Sequence, residues 1–480
     1  MNFRMVFYTL GWILLFETGF MLVPSITALV YSEYSTLFAF LISAGICLAV
    51  GALLSFKKPK NKKLRARDGF VIVALSWVML SIFGAVPFML SGATDSYIDA
   101  LFETVSGFTT TGSTIFGNVE VLPKAIIMWR SFTHWIGGMG ILVFIMAFLP
   151  LSGGTNMYIM RAESPGPTVS KPVPKIRMTA ALLYIVYIVL TVLEFVLLLF
   201  GKMTVFEAIN TAFSTAGTGG FGFLNSSMGA YSSYVQIVVA VFMVLFSINF
   251  SSYFFLVRGK FKEAFTTEVK TFLIIVGSAT LLIALNIVSI YGSFGESAKH
   301  SFFTVSSIIS TTGFSTADFN LWPTFSRTLL VLIMMIGACA GSTGGGIKVS
   351  RIIVMFKLIR RELSTALHPK QVKKISMDGQ VIERDVVRSI YGYFFCYILL
   401  CFISVIIISL DGHNIDLATS FTSVIATLGN TGPGLSMVGP TGNFGFLSSL
   451  SKFVLIFDML AGRLELYPML LLFVPSTWKK

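Results

Sequence analysis

Apolar residues run along this chain in ten blocks, separated by polar connections of two alternating kinds. The blocks lie near 5–30, 35–56, 70–92, 125–150, 178–200, 231–257, 271–292, 328–356, 388–410 and 451–475. Each meets or approaches the ~20 apolar residues that a helix needs to cross a bilayer. After the first pair, the remaining blocks group two by two. Within each group lies a shorter piece rich in Ser, Thr and Gly that cannot span a membrane. Between the groups lie basic connections: "KKPKNKKLRARD" (Lys57–Asp68), Arg161–Arg177, "VRGKFK" (Val257–Lys262) and Lys348–Arg388.

The hydroxyl-rich pieces align without gaps on one glycine each. They read "FETVSGFTTTG" ending at Gly112, "NTAFSTAGTGG" at Gly220, "FTVSSIISTTG" at Gly313 and "TSVIATLGNTG" at Gly432. Repetition in one direction predicts one supersecondary unit used four times. Irregular backbone survives at membrane depth only where it is buried in protein or lines a watery cavity. Each piece therefore predicts a re-entrant loop, in which a half-helix descends from outside and an extended segment returns. Four such segments about an axis make a ring of carbonyl and hydroxyl oxygens, the device that replaces a cation's hydration shell in selective pores. Each half-helix also aims its partly negative C-terminal end inward, which favours a cation over an anion. Close helix packing by small residues is the competing explanation for any one window. Recurrence at four equivalent places favours the pore. "WIGGMGI" (Trp135–Ile141) lies on a full-length helix and reads as a packing motif.

Composition narrows the class. Of 480 residues, 55% are hydrophobic and 12% charged, with a mean hydropathy of +0.83. Soluble domains carry about 25% charged residues. The net charge of +13 sits in the connections, as membrane orientation requires, so nucleic-acid binding is set aside. With the basic loops in the cytoplasm, both termini are cytoplasmic and the hydroxyl-rich pieces face outward. The first apolar block is longer than a signal-peptide core and lacks a clear cleavage site, so it reads as a retained membrane helix. Cys47, Cys339, Cys396 and Cys401 lie in apolar blocks without metal-type spacing. No nucleophile, base or metal cluster points to an enzyme.

The motifs "FETVSGFTTTGST", "HWIGGMGILVF", "AFSTAGTGGFG", "SSIISTTGFST", "GACAGSTGGGIKVSR", "ATLGNTGPGL" and "GRLELYP" occur in order along nearly the whole chain. In these the sequence resembles the Trk/Ktr/HKT superfamily of potassium transporters, most closely the Trk-type membrane subunits of the TrkH family. The resemblance implies an all-α polytopic membrane protein with four pseudo-symmetric helix–pore-loop–helix repeats around one central pore, plus an N-terminal helix pair. The expected units are 1–56 (helix pair), 57–160, 161–262, 263–360 and 361–480, the last including a cytoplasmic connection. It implies a selectivity filter of Thr110, Thr111 and Gly112; Thr218, Gly219 and Gly220; Thr311, Thr312 and Gly313; and Asn430, Thr431 and Gly432. In plant relatives a serine at the first filter glycine goes with sodium transport, so Gly112 favours potassium. It further implies potassium uptake across the inner (plasma) membrane, no cofactor in this chain, a homodimer, and a cytosolic ring of nucleotide-binding, TrkA-like regulatory subunits. The chain has no dinucleotide-binding fingerprint, so nucleotide control would come from that partner. The basic stretch Lys348–Arg388, with Lys370, Lys373 and Lys374, is the natural dock for the ring, or for lipid headgroups.

"GSTGGGIK" (Gly341–Lys348) lacks the GK[ST] of a phosphate-binding loop. It reads instead as an interruption in the second helix of the third repeat, because each mid-helix glycine costs about 1 kcal/mol relative to alanine. Gly341, Ser342, Thr343, Gly344, Gly345 and Gly346, together with Arg463 in the last helix, are the expected gate. Arg463 has a plainer alternative, a structural pair with Asp458 or Glu465. Glu17, Glu194, Asn249 and His134 read as polar helix contacts. An alternating-access transporter would show inverted repeats, and these run in one direction. Cation symport with H+ or Na+ is the alternative to simple conduction.

Overall fold

The computed structural model describes residues 1–60, 64–140, 176–369, 374–412 and 415–479. Lys370 and Lys373, most of Arg161–Arg177 and the stretch after Gly140 lie outside the described residues.

The chain opens with α1 (Phe3–Phe20) and α2 (Leu22–Val30), which form one span, and α3 (Tyr34–Ser55), which packs back along α1. The two meet through Gly11 and Gly51: a side-chain carbon on either would fall within 3.0 Å of the other's carbonyl oxygen. Such close approach is how helices associate where lipid offers no hydrophobic drive. Between the two spans, Glu33 accepts hydrogen bonds from Lys124 N (2.7 Å) and Ala125 N (3.1 Å). A carboxylate at a helix start satisfies orphan donors and complements the dipole. The pair is thereby fixed to the first repeat.

That repeat runs through α4 (Ala66–Gly84), α5 (Val86–Leu90), the half-helix α6 (Tyr97–Phe108) and α7 (Lys124–Gly138). The second comprises α8 (Ile176–Phe200), half-helix α9 (Val205–Gly217), α10 (Ser233–Phe246) and α11 (Phe250–Val257). The third comprises α12 (Thr267–Tyr291), half-helix α13 (Phe294–Ile309), α14 (Thr324–Ile336) and α15 (Val349–Leu367). A two-stranded hairpin, β1 (Ser376–Met377) and β2 (Gln380–Val381), precedes the fourth. The last repeat is α16 (Arg384–Ser409), half-helix α17 (Leu417–Leu428), α18 (Ser449–Arg463) and α19 (Tyr467–Leu472). Among the described residues six helices are long and apolar enough to span a membrane, or seven spans if a bent pair is counted as one.

The half-helices begin where their sequences offer caps. Ser96, Thr204 and Asp416 each accept a bond from a backbone N–H in the first turn, and Thr204 forms a reciprocal box with Glu207. Their burial is nearly complete over the last two turns, hydroxyls included.

The second helix of each repeat departs from the expected continuous span, and not in the third repeat alone. In the second repeat, Ser247–Asn249 separate two helices set at 93°. In the fourth, Glu465 and Leu466 take φ of +55° and +68° and end α18 at Arg463. In the first, α7 ends at Gly138. Hydropathy does not register the breaks in the second and fourth repeats, because each is only three residues long inside a longer apolar run. Asn249 is no simple packing contact: its side chain caps α11, accepting from Ser251 N at 2.8 Å.

Candidate ion pathway

All four half-helices end in the same hydrogen-bond pattern. The N–H groups of Thr111, Gly219, Thr312 and Thr431 reach back to Ser106, Ser214, Ser307 and Ala426 at 2.8–2.9 Å. The N–H groups of the preceding residues Thr110, Thr218, Thr311 and Asn430 bond to the next carbonyl along, those of Gly107, Thr215, Ile308 and Thr427, at 2.9–3.1 Å. This is a Schellman closure, whose left-handed position normally holds glycine. Here it holds three threonines and an asparagine, with φ of 55°, 56°, 61° and 55°. Each such residue costs about 1–2 kcal/mol, and strain of this kind collects at functional sites.

The aligned glycines follow two residues later, at φ of 82°, 76°, 89° and 98°. Around the axis they interlock. A side-chain carbon on Gly112 would land on the Gly219 carbonyl oxygen, and one on Gly220 would land on that of Thr312. One on Gly313 would meet the Thr431 oxygen, and one on Gly432 would lie 2.8 Å from that of Thr111. The contacts run from repeat one to two, three, four and back to one, a closed cycle of backbone carbonyls. Outside it, a recess of about 140 Å³ is lined by all four glycines.

The windows depart from a uniform Thr-Thr-Gly for reasons visible in the packing. Gly219 leaves room for His134, whose ring occupies the place of a side chain there. His134 Nδ1 lies 2.8 Å from the Gly107 oxygen, and its Nε2 accepts from Phe221 N at 3.3 Å. With Nε2 accepting, Nδ1 carries the proton, and the ring braces the first window against the second. Asn430 donates to Thr111 Oγ1 and to the Met459 oxygen, both at 2.9 Å, tying the fourth window to the first and to α18.

Sequence reasoning missed the buried pair behind these loops. Glu103 on α6 and Arg130 on α7 pair at 2.7 Å with at most 1% of either side chain exposed. Glu103 also accepts from Thr114 Oγ1 and Ile115 N at 3.0 Å. Arg130 donates to the Gly222 oxygen and lies 4.1 Å over the Phe221 ring. The signal was available: two opposite charges in one repeat, Glu103 in the hydroxyl-rich window and Arg130 inside the following apolar block. Glu103→Gln leaves Arg130 buried without its countercharge, a loss of about 3–5 kcal/mol. The variant is expected to lose its folded, monodisperse fraction at a clearly lower temperature in detergent. Wild-type heat resistance would show that the pair is dispensable.

Beneath the closed cycle lies the interruption Gly337–Lys348. Gly345 N donates to Thr311 Oγ1 at 2.7 Å, so the loop touches the third window directly. It also meets the break in the second repeat, through Phe250 N to the Gly341 oxygen at 3.0 Å and Cys339 N to the Ser247 oxygen at 3.1 Å. Arg463 donates to the oxygens of Thr343 (2.8 Å), Gly137 (2.5 Å) and Gly138 (2.7 Å). The expected alternative for Arg463 is replaced: Glu465 pairs with Arg351, and Asp458 accepts from Ser404 at 2.9 Å. Gly137 and Gly138 are packing residues as expected, with Phe108 and Gly217 backbone in the space of their missing side chains. Glu17 and Glu194 are fully buried and belong to none of these contacts. Among the described residues no cluster of His, Cys, Asp and Glu could hold a metal ion.

Four re-entrant half-helices whose C-terminal ends surround one cycle of carbonyls define a polytopic membrane protein of the pore-loop class, built for cations. The family model described as "TrkH: Cation transport protein" matches residues 36–480. The chain belongs to this family, whose members are transporters and not enzymes. It is 36% identical over 488 residues to the Trk system potassium uptake protein TrkH of Salmonella typhimurium, covering 100% of both chains. It is 33% identical to TrkG of Escherichia coli over 99% of both. The crystal structure of the potassium transporter TrkH from Vibrio parahaemolyticus superposes with a TM-score of 0.90 at 34% identity, over 100% of both chains.

Proposed function

We propose that this chain carries potassium into the cell through the axis of the closed carbonyl cycle. Thr110, Thr111 and Gly112, with Thr218, Gly219 and Gly220, supply half of the selectivity filter. Thr311, Thr312 and Gly313, with Asn430, Thr431 and Gly432, supply the rest. The observation that carries this reading is the cyclic contact of each glycine with the carbonyl preceding the next repeat's glycine. The hydroxyl oxygens of Thr110 and Thr431 are buried with no hydrogen-bond partner among the described residues. Curated relatives matched over their full length are described as potassium uptake proteins, in keeping with this substrate.

The loop Gly341–Gly346 and Arg463 form the gate under the filter. The guanidinium holds three carbonyls from two repeats together and sets a positive charge below the filter, against the ion. The chain sits in the plasma membrane with its basic connections and both termini in the cytoplasm. It works as a homodimer whose cytoplasmic face, with Lys374, meets a TrkA-like regulatory ring and anionic lipid. No observation favours coupling to H+ or Na+. Purified chain in liposomes should pass potassium in preference to sodium, at a rate unaffected by an imposed proton gradient at fixed voltage. A flux that follows the proton gradient would replace conduction with symport.

A further inference from the structure

The hairpin β1–β2 lies between α15, which leaves the intramembrane loop, and α16, and it contacts both α12 and α15. Its turn places Asp378 and Gly379 at φ of +50° and +80°, the Asp-Gly arrangement of a tight hairpin. Asp378 Oδ1 accepts from Thr267 N (2.8 Å) and Thr267 Oγ1 (2.6 Å), at the first residue of α12. One residue on, Glu268 is 2% exposed. Its Oε1 accepts from Ala340 N at 2.7 Å and Ser350 N at 3.0 Å, one donor on each side of Gly341–Gly346. Seven residues along α15 from Ser350, about two helical turns, Lys357 Nζ donates to the Ser376 oxygen of β1 at 2.6 Å. The contacts close a circuit from hairpin to α12, to both ends of the loop, along α15 and back to the hairpin. From the loop, Gly345 continues it to Thr311 in the third window.

We propose that this hairpin is a clip that keeps the loop under the filter, with Glu268 as the positioning residue that passes its hold to both loop ends. Seated on Thr267, Asp378 fixes the first turn of α12, and with it the carboxylate that draws Ala340 and Ser350 together. Lifted, the hairpin frees α15 from α12 at the cytoplasmic end, and Glu268 can no longer serve both donors. A protein bound at that face would then open the pathway by displacing the hairpin, without touching the membrane-embedded residues. The inference rests on the reading of the loop as a gate.

The test is potassium flux through the full chain in liposomes without any regulator. Asp378→Ala and Glu268→Gln should each raise basal flux about fivefold or more, with the potassium-to-sodium ratio unchanged. Asp378→Asn, which keeps the acceptor oxygen, should fall back towards wild type. In the double variant the flux should not exceed that of the stronger single variant, because both changes break one circuit. Asp378 is exposed, so its variants fold even if Glu268→Gln does not, and they carry the test alone. Wild-type flux in Asp378→Ala, or multiplying effects in the double variant, would overturn the clip. If Arg463→Ala raises flux while Asp378→Ala does not, the gate stands and the clip fails. If none of the three responds, the gate reading fails with it.

Discussion

Gly112→Ser should admit sodium, lowering the potassium-to-sodium preference about tenfold, or about 1.4 kcal/mol. The ideal position of the added carbon coincides with the Gly219 carbonyl oxygen, and neither backbone can yield alone. The residue's φ of +82° adds strain that a β-carbon rarely accepts. The first window must move outward, and the oxygens contributed by its neighbour turn with it. A wider ring loses its advantage for the larger, more weakly hydrated ion. The closed cycle also predicts a ranking. Gly220→Ser meets the Thr312 oxygen as Gly112→Ser meets that of Gly219, whereas at Gly432 the corresponding oxygen lies 2.8 Å away. Damage should therefore be larger at Gly112 and Gly220 than at Gly432, in sodium competition against rubidium uptake by proteoliposomes. Equal sodium competition in all variants would remove these glycines from the filter, and a reversed ranking would contradict the packing order.

Arg463→Ala should raise basal potassium flux about tenfold or more in the absence of any regulator, with ion preference nearly unchanged. Three carbonyl oxygens, from Thr343, Gly137 and Gly138, share this one guanidinium. Hydrogen bonds to a charged group contribute about 1.5–3 kcal/mol each, so its removal releases several times the thermal energy from the loop's closed form. It also removes a positive charge from the path. Arg463→Lys separates the two effects, since an ammonium keeps the charge but not the planar fork; its flux should be intermediate. Deleting Gly344–Gly346 removes the bond from Gly345 to Thr311 and should act like Arg463→Ala. Wild-type basal flux in folded variants would rule out this gate, and lost selectivity would make these residues supports of the filter.

The spans, the four hydroxyl-rich windows and the glycine-rich interruption are legible in sequence because each is a local property. Apolar length, capping residues and glycine density are read within about 20 positions. What escaped depends on residues far apart. Gly219 is glycine because His134 fills its side-chain space, a contact across 85 positions (219 − 134). Glu103 could be counted among the outer acidic residues, but not matched to Arg130, until α6 and α7 stood side by side. The breaks at Asn249 and Leu466 escaped for another reason. Hydropathy averages over a window of about 20 residues, so one polar cap inside an apolar run lowers the average too little to mark a break. Asn249 followed by Phe-Ser-Ser carried the cue, a side-chain acceptor ahead of a serine-rich first turn.

Carrying all four windows on one polypeptide has an evolutionary consequence. In a ring of identical subunits, any substitution appears four times, and a residue that suits one position must be tolerated in the other three. Here the quarters have diverged. The second window holds the imidazole of His134 at its flank, the third has a twelve-residue interruption beneath it (337–348), and the fourth carries an amide at Asn430 and supplies the arginine that reaches across to the first. Fusing four units into one chain thus lets an approximately symmetric carbonyl cycle acquire asymmetric neighbours. Each quarter can be altered without forfeiting the oxygens that the other three provide.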